Sequence, residues 1–216
     1  MKKLYKIYES IKELYLNIFN NITAPTTVKV IGIGGGGSNI VEYIESLNNS
    51  NINNSNIRSL IINSDVKALQ SKKVPNKIQL YTVDGYGCGS NDKCGLMLID
   101  TEVLDKIKKF IDKSKEVNII VTLGGGVGSG STQAIIKYLY QIDIKVNFFV
   151  VYPFSWEGIK RTNRAKKTVE FVKNYCYNIY EFYNDNLKQY GNISMHNSFN
   201  ILNNDIYNLI NSKNNN

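Results

Sequence analysis

The sequence predicts an α/β fold, a parallel sheet with helices on both faces, on three observations. Short β-branched runs alternate with stretches of helical spacing from residue 27 to residue 182. The alternation of strands with helices of this length indicates a parallel sheet covered on both faces, Val117–Thr122 reading as a buried strand. Two of the runs hand over to a helix through a glycine cluster, Gly32–Gly37 and Gly124–Gly130.

The elements follow in order. Val28–Ile33 is the first strand, and Ile40–Leu47 has helical spacing. Ile57–Ile62 is the second strand, with a short helix at Asp65–Gln70, and Lys77–Thr82 is the third. A glycine-rich loop at Gly85–Gly95 precedes a helix at Thr101–Lys113. Val117–Thr122 is a buried strand, followed by a helix from Thr132 to Gln141 and a strand at Lys145–Tyr152. A helix at Arg161–Cys176 leads to a last strand at Asn178–Phe182. Residues 26–197 therefore read as one domain, which suits a chain of 216 residues.

Residues 1–25 form a separate amphipathic helix ended by Ala24-Pro25. Its wide apolar face, Leu4, Ile7, Tyr8, Ile11, Leu14, Tyr15, Ile18, Phe19 and Ile22, needs cover. Packing on the protein or a partner is the expectation, and a membrane surface is the alternative. Residues 198–216 read as a truncated helix and frayed tail, with Ile201, Leu202, Ile206, Leu209 and Ile210 left as open apolar surface. The asparagine-rich stretches Asn48–Asn56 and Asn203–Asn216 are expected as loop and fraying terminus.

Composition excludes several classes. Hydrophobic residues at 43% and charged residues at 20% rule out global disorder. No run reaches the ~18 apolar residues of a membrane span. Glu9, Lys12 and Glu13 interrupt what would be a signal peptide, so a cytoplasmic location is expected. Three cysteines and one histidine cannot close a typical structural zinc site, and an odd cysteine count argues against a disulfide framework. Cys88 and Cys94 read as neighbours in a flexible loop, and His196 as a surface imidazole. The net charge of +8 suits nucleotides, nucleic acid or acidic lipid. No run interleaves arginine with aromatics, so nucleic acid is not an expected partner.

Glycine lets backbone N–H groups approach a phosphate, and a helix N-terminus adds a favourable dipole. Gly32, Gly34 and Gly37 satisfy the dinucleotide pattern G-x-G-x-x-G, which a tight turn also satisfies. The second cluster, Thr122–Ser131, again follows a strand and opens a helix. Two such cradles can share one polyphosphate at the switch point of a doubly wound sheet. No G-x-x-x-x-G-K-[ST] is present, so a P-loop enzyme is excluded on pattern.

These motifs resemble the tubulin/FtsZ family, most of all its bacterial FtsZ branch. Val28–Asn39 is similar to the family's opening, and Gly124–Gly130 to its GGGTGSG phosphate loop. Asn63-Ser64-Asp65, the loop Gly85–Gly95, Pro153–Arg161, Tyr183-Asn184-Asp185, and Phe199 with Asn203-Asn204-Asp205 follow in the family's order. The resemblance covers roughly residues 27–212 and implies a Rossmann-like GTPase-domain fold that takes GTP or GDP, with magnesium optional. It implies phosphate contacts from Gly34, Gly35, Gly36, Gly37, Asn39, Asn63, Asp65, Gly87, Cys88 and Gly89. Gly124, Gly125, Gly126, Val127, Gly128 and Ser129 complete that set. Ribose and guanine fall to Glu157, Arg161, Asn184 and Phe199, with Asn203, Asn204 or Asp205 as base reader. A bulkier residue at Gly36 or Gly125 is expected to abolish binding and spare the fold.

Two departures bear on chemistry. Family members continue into an activation domain whose loop serves the next subunit's nucleotide, and this sequence stops before one. Val127 stands where the family has threonine. The resemblance thus implies little hydrolysis by the chain alone, and action through assembly with itself or a full-length relative, in a cell-division type of cytoskeleton. Catalytic residues and a protein metal site are not expected. An NAD(P)-binding Rossmann enzyme and a non-nucleotide relict scaffold stay open as alternatives.

Overall fold

A computed structural model describes residues 9, 11, 12, 27–50, 56–82, 88, 89 and 91–214. Six strands form one sheet: β1 (Val28–Ile33), β2 (Ile57–Asn63), β3 (Asn76–Gln79), β4 (Glu116–Thr122), β5 (Lys145–Tyr152) and β6 (Asn178–Tyr183). Their order is β3-β2-β1-β4-β5-β6 and every pairing is parallel. The chain reverses its direction of sheet growth between β1 and β4, which opens a crevice at their carboxyl ends. Both glycine clusters leave the sheet at that crevice.

The helices are α1 (Gly34–Ser50), α2 (Val66–Ser71), α3 (Asp92–Met97), α4 (Thr101–Ile111), α5 (Gly126–Gln141), α6 (Ile159–Val172) and α7 (Met195–Asn214). They cover two faces, because alternate strand residues point to opposite sides. Ile31, Ile33, Ile119, Val121, Phe148 and Val150 pack on one side with Ile107 of α4, Ile136 of α5 and Val172 of α6. Val30, Ile61, Ile120, Phe149 and Val151 pack on the other with Ile44 of α1, Leu69 of α2 and Ile206 of α7.

The largest differences from expectation lie at the glycines. Helix α5 begins at Gly126, six residues before Thr132, and α1 begins at Gly34. Helix propensity disfavours both starts. Tertiary packing overrides it, since a Cβ on Gly130 would lie 1.9 Å from Asp92 O and one on Gly37 would lie 2.6 Å from Ile120 O. Side-chain-free turns are what allow α3 to sit on α5 and α1 to sit on β4. Strand β3 closes at Gln79, although the Leu80 N–H still reaches Asn63 O at 2.9 Å.

Helix α7 differs from expectation too. It starts before Phe199 and continues through Asn214, so the expected frayed tail is helical that far. Leu202, Ile206 and Ile210 are buried in the core cluster that holds Ile40, Ile44 and Phe149, not left as open surface. Asn48–Ser50 complete the last turn of α1. Of the N-terminal helix, Glu9, Ile11 and Lys12 are described, all helical, and the rest of that expectation lies outside the described residues. Among the described residues no helix is long and apolar enough to cross a membrane.

Candidate nucleotide site

A cavity of about 860 Å³ occupies the crevice. Its floor is made by the two glycine loops, Gly34–Gly36 after β1 and Gly125–Gly128 after β4. Asn39 of α1, Asn63 and Asp65 after β2, and Cys88-Gly89 continue the wall. Glu157, Arg161, Asn184, Phe199 and Asn203 also line it. Seventeen of the residues anticipated from the sequence thus meet in one space.

The glycines of the two loops divide by what a side chain would meet. Added Cβ atoms on Gly35 and Gly125 would meet nothing within 4 Å. At Gly36 the added atom would lie 2.0 Å from Thr122 Oγ1 and 2.5 Å from its Cγ2. The expectation that a bulkier residue at Gly36 spares the fold is therefore corrected. Gly36 is small because α1 closes on β4, whereas Gly35 and Gly125 keep the cavity floor bare.

Polar groups on the walls are mostly committed within the protein. Glu157 Oε1 accepts from the Phe154 N–H at 2.8 Å, and Oε2 pairs with Arg161 at 2.5 Å. Asp65 caps α2 by accepting from the Ala68 N–H at 2.9 Å. Burial alone would raise the Glu42 carboxyl, but the Lys72 ammonium at 2.9 Å and the Lys73 N–H outweigh it and hold it below the usual carboxylate range. Asn184 is buried, and its Oδ1 has no hydrogen-bond partner among the described residues. A buried orphan acceptor costs roughly 1–3 kcal/mol, and at the cavity wall a donor from water or from a ligand would offset that cost.

Other anticipated residues lie elsewhere. Gly37, Gly124 and Ser129 sit behind the cavity wall, and Ser129 Oγ accepts from the Gly124 N–H at 3.1 Å. On α7 the buried Asn203 lines the cavity, while Asn204 and Asp205 are exposed on another face. Gly87 lies outside the described residues. Cys88 and Cys94 are joined by a disulfide with Cα atoms 5.6 Å apart, which corrects the expectation of two unpaired loop thiols. The cause is local: the Asn91 N–H donates to Cys88 O at 3.0 Å and its side chain caps α3 at the Cys94 N–H, folding the loop back on itself. Cys176 is the free thiol among the described residues.

The sequence reading missed Glu42, Tyr43, Ser46, Lys72, Thr122, His196 and Asn200, which also line the cavity. Helical periodicity would have found most of them. Asn39, Glu42, Tyr43 and Ser46 share one face of α1, and His196, Phe199, Asn200 and Asn203 share one face of α7. His196 is exposed at the rim and its Nε2 lies 3.3 Å from Asn200 Nδ2.

A family model described as Tubulin/FtsZ family, GTPase domain, matches residues 27–192. The chain belongs to the tubulin/FtsZ family. It is 33% identical over 172 residues to the cell division protein FtsZ of Aquifex aeolicus, covering 78% of this chain and 45% of that protein. It is 30% identical over 181 residues to FtsZ of Mycoplasmopsis pulmonis, covering 83% and 45% respectively. The chain thus spans under half the length of these relatives. An FtsZ dimer from M. jannaschii superposes with a TM-score of 0.75 at 25% identity, over 91% of this chain and 56% of that one. A GTPγS-bound protofilament of CetZ2 from Haloferax volcanii shares the fold, with a TM-score of 0.77 at 20% identity over 88% and 59%. This FtsZ-family chain therefore carries the GTPase-domain fold, with its cavity at the switch point of the sheet.

Proposed function

We propose that this chain binds GTP or GDP in the crevice and works through assembly, with itself or with a longer FtsZ-like protein, in the cytoplasm. The observation that carries the reading is the meeting of two bare glycine floors and an unpaired buried amide oxygen in one cavity. Gly35 and Gly125 would leave room for the phosphates, with magnesium as counter-ion of a triphosphate. Asn184 and Asn203 would meet the polar edge of guanine, whose N–H groups complement an amide oxygen. Phe199 would pack on the ring.

The proposal includes weak hydrolysis by the isolated chain. Hydrolysis needs a group that orients the attacking water. The carboxylates on the cavity wall are Glu42, Asp65 and Glu157, and each is engaged by a lysine, a helix cap or an arginine. Val127 brings no hydroxyl to the second loop. A carboxylate from a second subunit would supply what these residues do not, and turnover would then depend on assembly.

The test is calorimetry with GDP, ADP and NAD on the purified chain, together with identification of any co-purifying nucleotide. Preference for GDP is expected, because adenine would leave the site's polar groups unpaired. Equal affinity for ADP, or preference for NAD, would overturn the reading.

A further inference from the structure

Gly124 is held through both of the peptides that flank it, the preceding one by its own N–H and the following one by its carbonyl. The Gly124 N–H donates to the fully buried Ser129 Oγ at 3.1 Å. The Gly124 carbonyl accepts from Arg164 Nη1 of α6 at 2.5 Å. Arg164 is itself steadied by Asp92 of α3, 3.9 Å from its Nε, and its side chain is 16% exposed. Gly124 has φ +105°, a conformation that the chain adopts here only because glycine permits it.

No peptide among the described residues is cis. Across a trans peptide the carbonyl and the following N–H point in opposite directions. Fixing Gly124 O on α6 therefore turns the Gly125 N–H away from α6, and Gly125 lines the cavity. Among the described residues that N–H has no protein acceptor. We infer that Arg164 is a positioning residue for anion binding: by holding the Gly124 carbonyl outward, with Ser129 holding the same residue's N–H, it aims the Gly125 N–H at the phosphates. The inference rests on the nucleotide reading of the cavity and goes beyond it, because Arg164 does not line the cavity and belongs to none of the motifs read from the sequence.

The experiment measures GDP and guanosine affinity by calorimetry for the wild-type chain, Arg164→Met, Arg164→Lys and Ser129→Ala, with thermal melts to check folding. A loosened peptide loses one charge-assisted hydrogen bond to phosphate. GDP affinity is therefore expected to fall about tenfold or more in Arg164→Met and Ser129→Ala. Guanosine affinity stays unchanged in both, a split that general loss of structure would not produce. Arg164→Lys recovers part of the loss, since an ammonium can still reach the carbonyl. Parallel loss of GDP and guanosine affinity, or no loss, overturns the inference. So does a loss in Arg164→Met without one in Ser129→Ala, which would mean that Arg164 acts by charge through space. A wild-type chain that binds no GDP would remove the nucleotide reading and this inference together.

Discussion

Gly125→Val and Gly36→Ala separate the two jobs that glycine performs in the phosphate loops. Gly125 has φ −83° and ψ 161°, extended backbone that valine adopts readily, and its added Cβ would meet nothing within 4 Å. Fold stability should move by less than about 1 kcal/mol, since restricting the unfolded chain offsets a poorer N-cap. The isopropyl group instead fills the cavity floor. Losing two charge-assisted hydrogen bonds to phosphate, at about 1.5–3 kcal/mol each, lowers GDP affinity by roughly 10² to 10⁴. Gly36→Ala should do the reverse. Its Cβ would lie 2.0 Å from Thr122 Oγ1, so α1 must move off β4, and overpacking of this kind costs about 1–3 kcal/mol. Calorimetric melts and GDP titrations on both variants decide it. A Gly125→Val chain that is folded and binds GDP like the wild type would refute the assignment of the cavity floor. A Gly36→Ala chain with unchanged melting temperature would refute the packing argument.

Asn184→Leu removes the orphan acceptor, so the nucleotide-free chain should hold or gain stability while GDP affinity falls by about 1–3 kcal/mol; denaturant titration with and without GDP reads both. Thiol titration of the unreduced chain should detect Cys176 only after unfolding, because burial pushes its thiol up to about 12, and reduction should then reveal Cys88 and Cys94. Three reactive thiols in the folded, unreduced chain would contradict this. Stability should also fall at alkaline pH. The unfolded Cys176 loses its proton above about 9 and the folded one does not, so its contribution is full below that pH and declines by up to about 1.4 kcal/mol per pH unit toward 12. Burial, with Glu181 beside it, raises Tyr152 in the same sense, so Cys176→Ala should flatten the decline only in part.

The sheet was legible because β1, β4 and β5 are rich in β-branched and aromatic residues, with β1 handing over to glycine and β5 to proline. Strand β5 falls where the sequence puts it, and β1 likewise. The helix starts were not legible. Gly126–Ser131 reads as loop by propensity, and becomes helix because α3 packs directly on it, with Ser131 Oγ donating to Gly95 O at 2.8 Å. That contact joins residues 36 apart in sequence, and a window of local pattern does not contain it. The Cys88–Cys94 pairing was hidden for a related reason. Counting cysteines weighs the whole chain, whereas this bridge depends on one asparagine cap at Asn91.

The site was legible where motif chemistry is local and illegible where it depends on helix faces. Three candidates on one stretch of α7, Asn203, Asn204 and Asp205, differ in residue type very little and in angle a great deal, since each step along a helix turns the side chain by about 100°. The structure turns Asn203 into the cavity and leaves the next two in solvent. The apolar stripe decides this, because Leu202, Ile206 and Ile210 must face the sheet and α1. Asn203 borders that stripe on the cavity side. The core thus sets which polar residue can meet a base, and a substitution that rotated the stripe, such as moving its apolar residues by one position, would present a different side chain to the ligand without touching the site itself.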